Sequence, residues 1–140
     1  LSQWPDAAAR RPAEARASAG ARAAAWEDRP GPPFARAVVE ETLRLYPPVP
    51  LLARTASAPL EIGGHAVPRG GIVLVVPWLL HRNPRLWDRP DHFLPERFLA
   101  ERPVRHAYIP FSLGPRVCTG AQFALAETVI CLSTLAQRFA

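Results

Sequence analysis

The sequence predicts an α+β fold, mainly helical with small β-sheets, in which helices flank a run of short strands. Three observations carry that expectation. Residues 34–46 place apolar side chains at helical spacing and end abruptly at Pro47 and Pro48. Residues 51–76 break into extended pieces separated by glycine- and proline-bearing turns. Residues 121–140 form a long apolar segment free of glycine and proline.

Residues 1–33 are rich in Ala, Arg and Glu but are broken by Pro5, Pro12, Pro30, Pro32 and Pro33. They read as a degenerate helix or linker, because Pro12 kinks or ends any helix there. The helix from Phe34 to Leu45 draws its apolar faces from Val38, Val39, Thr42, Leu43 and Leu45. Four strands follow: Leu51 to Arg54, Leu60 to Ile62, His65 to Val67, and the β-branched run Ile72 to Val76. Gly63 and Gly64 mark a hairpin turn, and Pro68 to Gly71 a second one. A short helical turn is expected around Trp78 to His81. Residues 83–110 are proline-rich and irregular, with Trp87, Phe93, Phe98 and Tyr108 as anchors. A glycine-framed loop spans 111–120. The last helix, 121–140, is apolar on most sides and is therefore expected to be buried.

Composition narrows the function classes. The 140 residues carry a formal charge of +5, and all 17 basic residues are arginine. The arginines are scattered over the whole length, which argues against a nucleic-acid stripe, and no nucleic-acid partner is expected. No segment has the apolar length of a membrane span. The chain holds no methionine and stops within a predicted helix, so it reads as a piece of a longer protein. Its two cysteines, Cys118 and Cys131, would lie about 20 Å apart along a helix. A disulfide needs Cα atoms within roughly 7 Å, so none is expected.

The chemistry concentrates in "PFSLGPRVCTG", residues 110–120. Gly114 and Gly120 supply backbone freedom at tight turns, or room for a group to come close. Cys118 falls at the threshold of the last helix, where free N–H groups and the helix dipole favour an anion. Arg116, two residues earlier, could meet a carboxylate on whatever the sulfur binds. One thiolate and one arginine do not make a tetrahedral zinc site. They suit a metal that brings most of its own ligands, as haem iron does.

Phe111, Gly114, Arg116, Cys118 and Gly120 match F-x-x-G-x-R-x-C-x-G position for position. In this the chain resembles the cytochrome P450 family of haem-thiolate monooxygenases. Glu41 and Arg44 share a helix face and, alone, would read as a surface ion pair. "ETLRLYPP" nevertheless resembles the family's E-x-x-R helix, and "PERF" at Pro95 to Phe98 resembles the segment that completes a buried Glu-Arg-Arg network. The resemblance thus groups Glu41, Arg44 and Arg97 in a structural network behind the cofactor. It makes Cys118 the axial ligand of haem b (iron protoporphyrin IX), with Arg54 and Arg116 on the haem propionates. Phe111 would shield the thiolate side, though plain core explains it nearly as well. His81 also matches a common family residue and is given no chemistry. His65, His92 and His106 read as loop or strand-edge residues, and Cys131 as packing on the final helix.

The resemblance implies the C-terminal part of the family's fold, incomplete: one partial domain over residues 1–140. In an intact enzyme it implies insertion of one atom of O2 into a lipophilic substrate. Electrons would come from a redox partner, a ferredoxin, flavodoxin or reductase, and arginines such as Arg105 and Arg116 would steer an acidic one. The expected compartment is the cytoplasm if the source is bacterial, with a membrane anchor left open. Pro12 and Pro32 depart from the family pattern. A relic that keeps the haem-binding motif without activity is therefore the rival reading, and the isolated chain is expected to be inactive.

Overall fold

The computed structural model describes residues 33–100, 103–104 and 106–139. Residues 1–32 of the expected linker and the partner-steering Arg105 lie outside the described residues, whereas Pro33 already belongs to the first helix. The remaining chain forms helices with two small antiparallel sheets, the class that the sequence predicts.

Helix α1 spans Pro33–Leu45. Pro33 stands in its first turn, where a missing N–H costs nothing and a fixed φ favours entry. Pro47 and Pro48 end it. Leu45 offers its carbonyl to the Arg82 guanidinium, which also stacks over Trp78 with 4.4 Å between the guanidinium carbon and the ring centroid. The inward face of α1 builds both apolar clusters found among the described residues. Phe34, Val38 and Leu45 meet Phe93 and Leu132, while Ala35 and Val39 meet Val129, Leu125 and Leu132.

Strand β1 (Leu52–Thr55) pairs antiparallel with β4 (Ile72–Val75), with Leu52 opposite Val75 and Thr55 opposite Ile72. Between them, β2 (Leu60–Ile62) and β3 (His65–Val67) make a hairpin. Its turn needs positive φ at two successive residues, and Gly63 and Gly64 supply it at 57° and 82°. Helix α2 (Pro77–Leu80) follows, then an irregular stretch that delivers helix α3 (Arg97–Ala100) against α1. The chain then turns back through Ile109 and a 3-10 turn at Gly114–Arg116 into helix α4, Ala121–Arg138.

Helix α4 departs from expectation. The apolar circumference predicted a buried helix, yet only Val129, Ser133 and Ala136 are buried, and Phe123 is 62% exposed. The cause is geometric: α4 meets the described structure along one stripe, the stripe that faces α1. Cys131 lies two residues, or about 200°, round from Val129. It is therefore exposed rather than packed, which corrects its expected role.

Candidate functional site

Behind the cysteine loop lies a buried ionic cluster. Arg44 donates from Nε and Nη2 to the two carboxylate oxygens of Glu41, at 2.7 and 2.8 Å. Its remaining donors reach the carbonyls of His81 (2.7 Å), Pro90 (2.6 Å) and His92 (3.0 Å). All five N–H directions of the guanidinium are thereby used. Glu41 also accepts from the Leu94 N–H at 2.8 Å and from Arg97 Nε at 3.2 Å. Arg97 continues to the carbonyl of Asp88 at 3.0 Å. Both side chains of the Glu41–Arg44 pair have no exposure, so this is no surface ion pair. Trp87 flanks both cations, 5.2 Å from the Arg44 guanidinium carbon and 5.8 Å from that of Arg97. One helix and one irregular segment, each unable to satisfy its own backbone, are closed on each other by three charged side chains.

His81 was assigned no chemistry, and the fold gives it a central place. It is fully buried. Its Nε2 accepts the Ile109 N–H at 2.9 Å, so Nδ1 carries the proton and donates to the Arg44 carbonyl at 3.1 Å. Burial first, then the nearby guanidiniums of Arg44 and Arg82, lower its pKa from 6.5 to about 4, against the raising effect of the bond to Arg44. Tyr108 stacks against His81, with centroids 5.4 Å apart, and donates its hydroxyl to the Glu40 carbonyl at 3.0 Å. Burial pushes the Tyr108 phenol well above its ordinary range. The family resemblance marks the position of His81 but not its role, because a histidine after a short apolar turn looks the same whether solvated or enclosed.

The cysteine loop leaves this base at Ile109. Ser112 and Gly114 take positive φ, 64° and 72°, which turns the chain tightly enough for the Cys118 N–H to reach the Phe111 carbonyl at 2.9 Å. Cys118 in turn offers its own carbonyl to the Ala121 N–H at the start of α4. Gly120 has an ordinary φ of −88°, and a Cβ there would meet nothing within 4 Å. Of the two roles considered for it, only room for an approaching group stays compatible with this geometry.

Cys118 is exposed and opens into a concavity of about 290 Å³. Pro48, Val49, Leu52, Ile109 and Phe111 form its apolar wall, with Arg116 at its margin. A second concavity, about 450 Å³, shares Leu52, Ser112 and Arg116 and adds Arg54. Arg54 donates to the Ala53 carbonyl and, at 3.4 Å, to Ser112 Oγ. Neither Arg54 nor Arg116 forms an ion pair among the described residues, whereas Arg44 and Arg97 do. Nor do the described residues hold a cluster of three or more His, Cys, Asp or Glu side chains that could bind a bare metal ion. A single thiol, an apolar wall and two open guanidiniums fit a flat apolar macrocycle that carries its own metal and its own carboxylates.

The model of the cytochrome P450 family matches residues 1–140. The chain belongs to the cytochrome P450 family. Human cytochrome P450 4V2 is 44% identical over 109 residues, covering 76% of this chain and 21% of the human protein. Cyclooctatin synthase of Streptomyces melanosporofaciens is 39% identical over 99% of this chain and 31% of its own length. A zebrafish cytochrome P450 solved with progesterone superposes with a TM-score of 0.87 at 38% identity, covering 97% of this chain and 32% of that one. The chain thus spans about a fifth to a third of the relatives it matches. Cytochrome P450 proteins are haem-binding, iron-dependent oxidoreductases. No described helix of this cytochrome P450 chain is long and apolar enough to cross a membrane.

Proposed function

We propose that this chain is the haem-holding part of a haem-thiolate monooxygenase that acts on a lipophilic organic substrate. One observation carries the reading: Cys118 opens into an apolar concavity whose margin bears Arg116, next to a second concavity that bears Arg54. Haem b, when bound, supplies the redox-active iron at which dioxygen is reduced, one oxygen atom passing to substrate and the other to water. Cys118 would provide the thiolate that holds the iron, and its electron density. Arg54 and Arg116 would hold the two propionates by charge-assisted hydrogen bonds. Phe111 and the wall around it would keep water from the sulfur side, and Gly120 would leave room for the macrocycle. Glu41, Arg44 and Arg97 would hold the base of the loop without touching the reacting atoms.

The segments 34–46, 51–76, 83–110, 111–120 and 121–140 would act as one partial domain. Electrons would come from a ferredoxin, flavodoxin or reductase, for which Arg116 offers a positive contact. Progesterone and abiraterone bound by zebrafish relatives support the lipophilic character of the substrate. The rival reading, a relic that keeps the motif without activity, rests on Pro12 and Pro32, which depart from the family pattern.

Carbon monoxide difference spectroscopy of the reduced, haem-supplemented chain tests the ligand assignment. The red-shifted Soret band of thiolate ligation, lost in Cys118→Ser and kept in Cys131→Ser, is expected. Absence of the band in the parent chain would leave haem binding by this chain unsupported.

A further inference from the structure

We propose that His81 is a positioning residue for Cys118, transmitting the placement of the buried Glu41–Arg44–Arg97 cluster to the backbone of the cysteine loop. The inference rests on the reading of Cys118 as iron ligand.

Its basis is one continuous path of hydrogen bonds. The Arg44 carbonyl accepts from His81 Nδ1 at 3.1 Å, and His81 Nε2 accepts the Ile109 N–H at 2.9 Å. Two residues further on, the Phe111 carbonyl accepts the Cys118 N–H at 2.9 Å. The single side chain in that path is His81. A second bond locks the imidazole's own backbone to the same cluster: Arg44 Nη1 donates to the His81 carbonyl at 2.7 Å. Helix α1 therefore grips His81 at both its ring and its main chain, and His81 grips the loop.

Filling space would not require both ring nitrogens to be used, nor the tautomer to be fixed. Tyr108 also ties the loop base to α1, but through its hydroxyl on the Glu40 carbonyl. That bond orients a ring and leaves the Ile109 N–H unserved. Ile109 is buried, so water does not replace His81 as its acceptor. A loop that loses this anchor keeps its internal turns at Ser112 and Gly114 but loses its fixed relation to α1. A ligand sulfur depends on such surrounding bonds for its placement.

The two amides of an Asn or Gln side chain separate the functions of the imidazole. His81→Asn can still donate to the Arg44 carbonyl but is too short to reach Ile109. His81→Gln can reach Ile109 with an acceptor oxygen. The test is amide hydrogen exchange on the purified chain, which needs no haem. In His81→Asn the Ile109 and Cys118 amides should exchange roughly tenfold faster, with Val38 and Val39 of α1 unchanged. In His81→Gln all four should match the parent. Unchanged exchange at Cys118 in the Asn variant, or a Gln variant as unprotected as the Asn one, overturns the proposal. If His81→Asn unfolds and every amide accelerates, the Gln variant decides: protection at Cys118 supports the proposal and its loss defeats it. A parallel carbon monoxide spectrum should show the thiolate band weakened in the Asn variant and restored in the Gln variant. If the parent chain itself gives no such band, the ligand reading fails while the exchange data still rule on His81.

Discussion

At the scale of single residues, the buried carboxylate of Glu41 carries the largest consequence. It takes four hydrogen bonds, from two guanidinium nitrogens of Arg44, from Arg97 and from the Leu94 N–H. Glu41→Ala strands the fully buried Arg44 with no solvent to replace the lost partner and removes a partner from Arg97, at a cost of about 3–5 kcal/mol. Chemical denaturation of the variant should show that loss, and little or no haem-loaded soluble protein should be recovered. Normal haem content would contradict the role given to the cluster. His81 sets a pH dependence whose sign follows from its lowered pKa of about 4. Below pH 6.5 the unfolded chain binds a proton that the folded chain refuses. The stability tied to neutral His81 is therefore complete above about pH 6.5. It falls as pH drops toward about 4, with a slope of at most about 1.4 kcal/mol per pH unit. Denaturant midpoints of parent and His81→Gln should agree at neutral pH and separate over that window, the parent falling below the variant, and parallel profiles would deny His81 its share. The buried place of Glu41 was legible in the sequence because its fixed spacing to Arg44 marks it, and fixed spacing likewise singles out Cys118 as a candidate. The enclosure of His81 carries no such mark.

At the scale of elements, local chemistry announced the turns and the strands better than it announced burial. Successive glycines at 63 and 64 allow a hairpin turn at positive φ, and the β2–β3 pairing places Ile62 opposite His65 across it. Pro47 and Pro48 stop α1 where the sequence requires a stop. The β1 strand begins one residue later than its apolar run suggests, at Leu52, because its register is set by partners on β4 and not by its own composition. Helix α4 shows why burial was misread. Hydrophobicity around a helix states how many neighbours it is built to meet, whereas exposure states how many are at hand. Here one stripe through Val129, Ser133 and Ala136 meets α1. The same reasoning accounts for Cys131, whose position off that stripe decides its exposure.

At the scale of the whole molecule, the distribution of apolar surface separates the chain into a finished and an unfinished side. The finished side is the junction of α1, the 83–109 segment and α4, where Phe34, Val38, Trp87, Phe93 and Ile109 are buried. The open side includes the outer faces of the two small sheets, where Ile62, Ile72 and Leu74 are exposed at 48%, 70% and 55%. Relatives of this chain are between three and four times as long, and side chains of this kind in a β-strand otherwise invite association. Ile72 stands at the end of β4, opposite Thr55, and threonine would keep the β-branched shape that the strand favours. Ile72→Thr should therefore leave the stability of the isolated chain within about 0.5 kcal/mol of the parent, since nothing packed is lost. Sedimentation at increasing concentration should show the variant self-associating less, because a patch of uncovered surface is removed. A loss of stability above about 1 kcal/mol would mean instead that Ile72 is covered in solution, and that the open side of this chain finds a partner in a second copy of itself.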